Sequence, residues 1–262
     1  MIRVIVAWIF VKLGNIPWVE SKFWVKMLKL ANCFCSQEYI FNTPFWKYLS
    51  SSLQEYLLMD KNYESEIWKV IHKVTDKKDT EKYLINIWCN VWRRAIDLAK
   101  NYNYKVIAFE PAPHTYYSLM VNVALSDLLK KFETYNIALW NENTTLNFEY
   151  RKFHNGSSHI VDNNNEAKVV GWEIIKVPVK RFDDLWIEKE KIEKIRLIIM
   201  DVEWFELNVL KWMKNTLKSF SNISIIIEIR DNKENKNETI KFMNDLWYME
   251  KQIDDSNRLF TK

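Results

Sequence analysis

Where a chain of this kind needs glycine, this one has tryptophan. It carries 13 Trp and 3 Gly, whereas average usage of about 7% Gly would place roughly 18 in this length. Trp and Gly together come close to that figure. Trp88 and Trp92 stand in the loop of Tyr83-Leu-Ile-Asn-Ile-Trp88-Cys-Asn90-Val-Trp92-Arg, a stretch that reads as apolar strand, tight bend and helix. Trp140 follows Ile137-Ala-Leu and opens a turn before Asn-Glu-Asn. Trp186 and Trp247 each follow an Asp-Leu that closes a helical pattern. That is the position just past a helix where a left-handed backbone, and hence Gly, is favoured. Trp204 and Trp212 fit the same reading, while Trp8, Trp18, Trp24, Trp46, Trp68 and Trp172 have less telling surroundings.

A literal Trp-rich chain is the rival reading, and its energetics are poor. A side chain in a left-handed backbone costs about 1–2 kcal/mol, and overpacking costs about 1–3 kcal/mol more. Seven such sites would consume on the order of 10 kcal/mol of a typical stability of about 5–15 kcal/mol. We therefore read these Trp as glycine positions, encoded by UGA in a gene that uses this codon for glycine. The Lys, Asn and Ile richness of an AT-rich gene is compatible with that.

At 262 residues the chain can bury a full core. The expected partition is an N-terminal helical cap or extension over 1–62 and one α/β domain over 63–262. A formal charge of +4 gives no electrostatic footprint for nucleic acid. Cys33, Cys35 and Cys89 neither pair off nor complete a zinc site, so free thiols in a reducing, cytoplasmic setting are the expectation. The apolar run Val4 to Val11 is too short to span a bilayer. Packing on the domain is favoured over contact with a membrane surface.

The first 60 residues read as two or three helices with a break around Asn42-Thr-Pro44. From Tyr63 the pattern alternates. Helices are expected over Tyr63–Val74, Arg93–Asn101, His114–Ser126, Phe205–Lys211 and Glu238–Leu246. Strands are expected over Tyr83–Ile87, Lys105–Phe109, Thr134–Ala138, Leu197–Met200 and Ile223–Ile229. Strands separated by helices of about ten residues imply βαβ crossovers and a parallel sheet. Thr145–Tyr150 and Ile174–Val179 read as additional strands flanking a polar loop with Gly156-Ser-Ser-His159 and Asn163-Asn-Asn165. Tyr248–Ile253 and Arg258–Thr261 read as a terminal hairpin, and Asp231–Glu238 as a charged loop.

With glycines restored, Asn86-Ile-Trp88-Cys-Asn90-Val-Trp92 reads Asn-x-Gly-x-Asn-x-Gly. Small residues between a buried strand and a helix let a ligand approach the backbone and the free N–H groups of the helix start. About twenty residues on, the next strand ends in Glu110, at the spacing of a ribose-binding acid. That geometry serves NAD or S-adenosylmethionine. The G-x-x-x-G spacing differs from the G-x-G-x-x-G dinucleotide fingerprint, which disfavours a nicotinamide oxidoreductase. If every Trp is literal, indoles at 88 and 92 would fill the pocket and leave a non-catalytic binding or scaffold protein.

These segments, together with Val106-Ile-Ala-Phe-Glu-Pro111, Asn122, Asn136-Ile-Ala-Leu139, Ser157-Ser158, Val177-Pro-Val179, Phe182-Asp-Asp-Leu185, Ile198-Ile-Met-Asp-Val-Glu-Trp-Phe-Glu206 and Val209-Leu-Lys-Trp212, resemble the FkbM family of S-adenosylmethionine-dependent methyltransferases. The resemblance runs from about Glu64 to the C-terminus. The family's Asp-Val-Glu-Gly is matched by Asp201 to Trp204, and its Leu-Lys-Gly by Leu210 to Trp212. It implies a Rossmann-like class I methyltransferase fold with a mostly parallel central sheet, helices on both faces and a C-terminal antiparallel hairpin. The implied cofactor is S-adenosylmethionine, with Asn86, Trp88, Asn90, Trp92, Glu110, Ala138 and Asp201 around it. The implied reaction is methyl transfer to a hydroxyl oxygen of a glycan or small metabolite. Asn86 stands where the family usually has Asp, and Ile199 where it usually has Lys.

Asp201, at a strand tip, and Glu203 are candidates for the base that takes the hydroxyl proton, and capping of the following helix is the alternative role for Asp201. His159 is a second candidate base. His72, His114 and His154 show no convergent ligand pattern, so no metal site is expected. Small-molecule or glycan substrates are the expected partners, not nucleic acid.

Overall fold

Strands that are apolar on both faces fold only where both faces are covered. The computed structural model describes residues 39–42, 47–50, 65–75, 81–90, 93–151, 158–161, 172–203, 205–229 and 233–262. In chain order these form β1 (Tyr39–Asn42), β2 (Lys47–Ser50), α1 (Ser65–Val74), β3 (Lys82–Ile87), α2 (Arg93–Asn101), β4 (Tyr104–Phe109), α3 (Pro113–Leu125), β5 (Phe132–Tyr135), β6 (Ala138–Leu139), β7 (Thr144–Arg151), β8 (His159–Val161) and β9 (Trp172–Lys180). There follow α4 (Lys189–Glu193), β10 (Ile195–Met200), α5 (Glu206–Trp212), α6 (Lys214–Ser219), β11 (Ser224–Glu228), α7 (Lys233–Asp245), β12 (Met249–Gln252) and β13 (Asn257–Thr261).

The central sheet has the order β5-β4-β3-β10-β11-β13-β12. β3, β4, β5, β10 and β11 run parallel, and β13 is antiparallel to both of its neighbours. Period-two alternation sends Ile85, Ile87, Phe109, Ile198 and Met200 into one core with α5, α6 and α7. It sends Leu84, Val106, Ala108, Leu197 and Ile199 into a second core with α1, α2 and α3. The chain runs outward from β3 to β5, then returns to the other side of β3 as β10, which puts a topological switch point at the tips of β3 and β10.

At the opposite, amino-terminal edge, Glu81 accepts from Lys105 (3.0 Å) and Lys194 (2.7 Å), so one carboxylate clips the starts of β3, β4 and β10. The hydrogen bonds from Lys194 and Lys105 hold its pKa at about 2.

Between β5 and β10 a four-stranded sheet, β6-β9-β7-β8, is inserted. Here the expected single strand Thr134–Ala138 is two. β5 pairs with β4 in the central sheet, while β6 pairs with β9 in the inserted one, because the chain changes sheets at Asn136 and Ile137. His159, expected in a loop, lies on β8. Lys233–Glu238, expected as charged loop, forms the first turns of α7. In the N-terminal extension, where helices are expected, β1 and β2 pair as an antiparallel hairpin around the anticipated break. The remainder of 1–62, including the Val4 to Val11 run, lies outside the described residues, apart from these two strands. Among the described residues no helix is long and apolar enough to cross a membrane.

The backbone separates the Trp positions. Trp247 has φ 68° and sits at the end of α7. Its N–H donates to the Asn244 carbonyl (2.9 Å) and the Tyr248 N–H to the Met243 carbonyl (3.1 Å). This is a Schellman cap with Trp at its glycine position, and the indole is 84% exposed. Trp88 has φ 66°. Asn103 and Asp127 are also left-handed, but those residue types tolerate it. The expected left-handed cap at Trp186 is absent. A short 3-10 turn, Phe182–Asp184, ends in extended Leu185, and Trp186 is the centre of a three-residue turn closed by the Ile187 N–H to the Leu185 carbonyl (2.8 Å). Trp212 is likewise not left-handed: it is the last residue of α5, which passes through Met213 into α6. Trp140 continues the β6–β9 ladder through its N–H to the Lys180 carbonyl (2.9 Å). Trp92 and Trp204 lie outside the described residues.

Trp247→Gly removes a left-handed side chain and gives up almost no buried surface. It is expected to stabilise the protein by about 1 kcal/mol and to raise the melting temperature by a few degrees. Chemical denaturation of the two chains checks this, and a lower midpoint for the glycine variant would contradict it.

Candidate functional site

The carboxyl-terminal tips of β3, β4 and β10 lie at one level, because Met200, Ile87 and Phe109 are register partners across the three strands. With one strand between them, the backbones of Asp201 and Glu110 are about 10 Å apart across the sheet, on either side of the Trp88 turn.

The turn after β3 is tight. Trp88 and Asn90 both have positive φ (66° and 55°), and the Cys89 N–H extends the ladder to the Phe109 carbonyl (2.7 Å). This geometry aims the Asn90 N–H at Oε2 of Glu110 (2.7 Å). Oε1 of Glu110 accepts from the N–H of Ala112 (2.9 Å), the N-cap of α3. Glu110 is 2% exposed. A carboxylate at a strand tip is an acceptor suited to the hydroxyl donors of a ribose. Asn86, buried on β3, donates from Nδ2 to Sγ of Cys89 (3.3 Å). Ala138 is buried at the start of β6. Tyr135 stacks on Phe109 (centroids 5.2 Å apart), and burial, with its hydrogen bond to Glu133, pushes its phenol up to about 12. Tyr135 thus stays neutral at ordinary pH and offers no base.

Beyond β10, the Asp201 N–H reaches the Ile87 carbonyl (3.5 Å), and Asp201 is half-buried. The N-cap position of α5 is held by Phe205, whose side chain makes no capping hydrogen bond. Glu203 is buried and left-handed (φ 50°). Glu206, also buried, opens α5, where the helix end favours a negative charge.

The inserted sheet covers these tips. Phe148 of β7 meets the Trp88 indole (5.6 Å) and Tyr150 stacks on His114 (5.8 Å). Neither Phe148 nor Tyr150 was singled out as a site residue from the sequence, although their i, i+2 spacing on β7 is the signal that puts both on one face. The Trp88 side chain is buried within the core shared with Phe148. On the flank, Trp140 packs against Phe205 (4.9 Å) and Trp212 (5.0 Å). His159 pairs with Glu149, whereas the next pair, Phe148 with Ile160, faces the core. His159 therefore lies on the other face of the inserted sheet, away from Asp201. The structure brings Asn86, Trp88, Asn90, Glu110 and Asp201 to one edge, with Ala138 beside it.

A doubly wound sheet with an acid at the tip of its second parallel strand and a tight turn at the first defines an α/β protein that binds a nucleoside cofactor at its switch point. Its strand order, with a single reversed strand, is that of the class I methyltransferases. A family model described as the methyltransferase FkbM domain matches residues 77–252. The chain belongs to the FkbM methyltransferase family, and S-adenosylmethionine is its cofactor. Solved structures similar to it include TYW2 of P. horikoshii in complex with MeSAdo, 10% identical over 87% of this chain and 71% of that one (TM-score 0.46). TYW2 of M. jannaschii in complex with AdoMet is 11% identical over 87% and 84% (TM-score 0.42). Precorrin-6y C5,15-methyltransferase of Geobacter metallireducens GS-15 is 11% identical over 74% and 86% (TM-score 0.41). None of the curated proteins matches the chain.

In the chain with glycine restored at the Trp positions, Glu110→Ala is expected to weaken S-adenosylmethionine and S-adenosylhomocysteine alike, by about 1.5–3 kcal/mol for a charge-assisted partner. Calorimetric titration checks this, and equal affinities for the two chains would remove Glu110 from the site.

Proposed function

We propose that this methyltransferase acts on a hydroxyl oxygen of a small metabolite or glycan, with Asp201 as the base and with glycine at position 88 in the native protein. The observation that carries the reading is the placement of Asp201 and Glu110 on the two sides of the β3 turn. The nucleoside end of the cofactor is assigned to Glu110 and Ala138, and the amino-acid end to Asn86 and the turn at Asn90. The cofactor's sulfonium supplies an electrophilic methyl group. With the cofactor bound, Asp201 would accept the proton that the acceptor hydroxyl gives up. Alignment contributes most of the catalysis in such a displacement, and the base contributes about 10²–10⁴-fold. Glu203, buried two residues beyond Asp201, contributes in this reading only negative charge close to the base. His159, on the far face of the inserted sheet, has no part in it.

Asp201→Asn is accordingly expected to lower kcat at least a hundredfold, in line with the contribution of roughly 10²–10⁴ from a general base, and to change the affinity for S-adenosylhomocysteine by a much smaller factor. Release of S-adenosylhomocysteine in the presence of a panel of hydroxylated acceptors measures the first, and titration the second. Undiminished turnover would exclude Asp201 as the base.

A scaffold without catalysis is the second reading, and the Trp88 indole packed on Phe148 favours it, since that ring fills the space above the β3 tip. Trp88→Gly opens this space. Lost packing costs about 3–5 kcal/mol and relieved backbone strain returns about 1–2 kcal/mol, so the ligand-free variant is expected to be less stable than its parent. Its affinity for S-adenosylmethionine is expected to be higher. Tight binding by the chain as it stands, or UGG codons at both 88 and 247, would overturn the glycine reading.

A further inference from the structure

Glu110 is fastened through its backbone as firmly as through its carboxylate. Its N–H donates to the carbonyl of Tyr135 (3.0 Å). Its own carbonyl, together with that of Pro111, accepts from Nδ2 of Asn136 (2.8 and 3.0 Å). Pro111 has no N–H to offer, so this loop presents two successive carbonyls, and the carboxamide of Asn136 has two protons to match them. Asn136 lies where the chain leaves β5 for β6, two residues before Ala138. The same amide thus joins the loop that carries Glu110 to the segment that leads into Ala138.

We propose that Asn136 is the positioning residue of the nucleoside subsite. It acts through Glu110: by tying the loops after β4 and β5 together, it sets the distance between the ribose-binding carboxylate and the adenine-side wall before the cofactor arrives. Order established in advance need not be created on binding, and the gain appears as affinity. The proposal rests on the cofactor-site reading above and adds a residue that touches no cofactor atom.

The test compares two ligands. S-adenosylhomocysteine carries both the nucleoside and the amino-acid end, and 5′-deoxy-5′-methylthioadenosine carries the nucleoside alone. Each is titrated into the full chain and into the full chain with Trp88→Gly, with Asn136 intact, with Asn136→Ala and with Asn136→Asp. Asn136→Ala is expected to weaken both ligands by the same factor, roughly tenfold, with the ligand-free melting temperature close to that of the parent. Asn136→Asp keeps the shape of the side chain and turns an oxygen toward the two carbonyls at neutral pH, so it is expected to lose more. Being isosteric, it separates loss of the tether from loss of the fold. Unchanged affinities in both variants overturn the role of Asn136 and leave the cofactor site standing. A loss confined to S-adenosylhomocysteine overturns the assignment to the nucleoside. Failure of both parent chains to bind either ligand overturns the cofactor-site reading, and this proposal with it.

Discussion

A carboxylate withdrawn from water has to be met by donors, and Glu110 is met by the N–H groups of Asn90 and Ala112, which belong to two different loops. Moving the turn after β3 away would take the Asn90 donor from a buried charge, at a cost of about 1–3 kcal/mol. The turn after β3 and the start of α3 are therefore held together. Much at this edge follows from that constraint. The left-handed Asn90 presents its N–H to Glu110, and the N–H of Ala112, the N-cap of α3, is the second donor. Asn136 closes the third loop onto the same residue from behind.

The two edges of the central sheet are organised by the same kind of group used differently. At the amino-terminal edge, Glu81 is solvated and its two lysine partners are only half-buried, so that clip is screened and of small weight. At the carboxyl-terminal edge Glu110 is enclosed, and its hydrogen bonds are worth correspondingly more. Parallel strands bring both arrangements about. They put all amino termini at one end and all carboxyl termini at the other, and the switch at β3 and β10 leaves a crevice only at the latter.

The inserted sheet completes the crevice and shows where the Trp residues matter. Trp247 is a local problem, since its cap is made by backbone groups within a few residues of the end of α7 and its side chain is largely exposed. Trp88 is a tertiary one. Its backbone asks for glycine by its φ, while its ring is enclosed between the β3 tip and Phe148. Burial of the ring and strain of the backbone oppose each other there, and a cofactor adds a third claim on the same volume.

Much of the fold was legible in the residues. The limits of α2, the buried β3, β4, β10 and β11, and the terminal hairpin follow from apolar periodicity and capping, which act over a few neighbouring residues. So does the left-handed cap at Trp247. What the sequence alone determined was thus the α/β alternation, the acid at the end of the second strand and the tight turn before α2. Tertiary structure decided the rest. Thr134–Ala138 reads as one strand, yet its halves belong to different sheets, because hydrogen-bonding partners distant in sequence compete for it. Trp186 and Trp212 read like Trp247, but the first lies in a three-residue turn and the second inside a helix, according to what their flanking segments pack against. His159 reads as a base until its pairing with Glu149 puts it on the outer face. Periodicity and capping are settled between neighbours, whereas sheet membership, facing and enclosure depend on contacts between segments that local pattern does not encode.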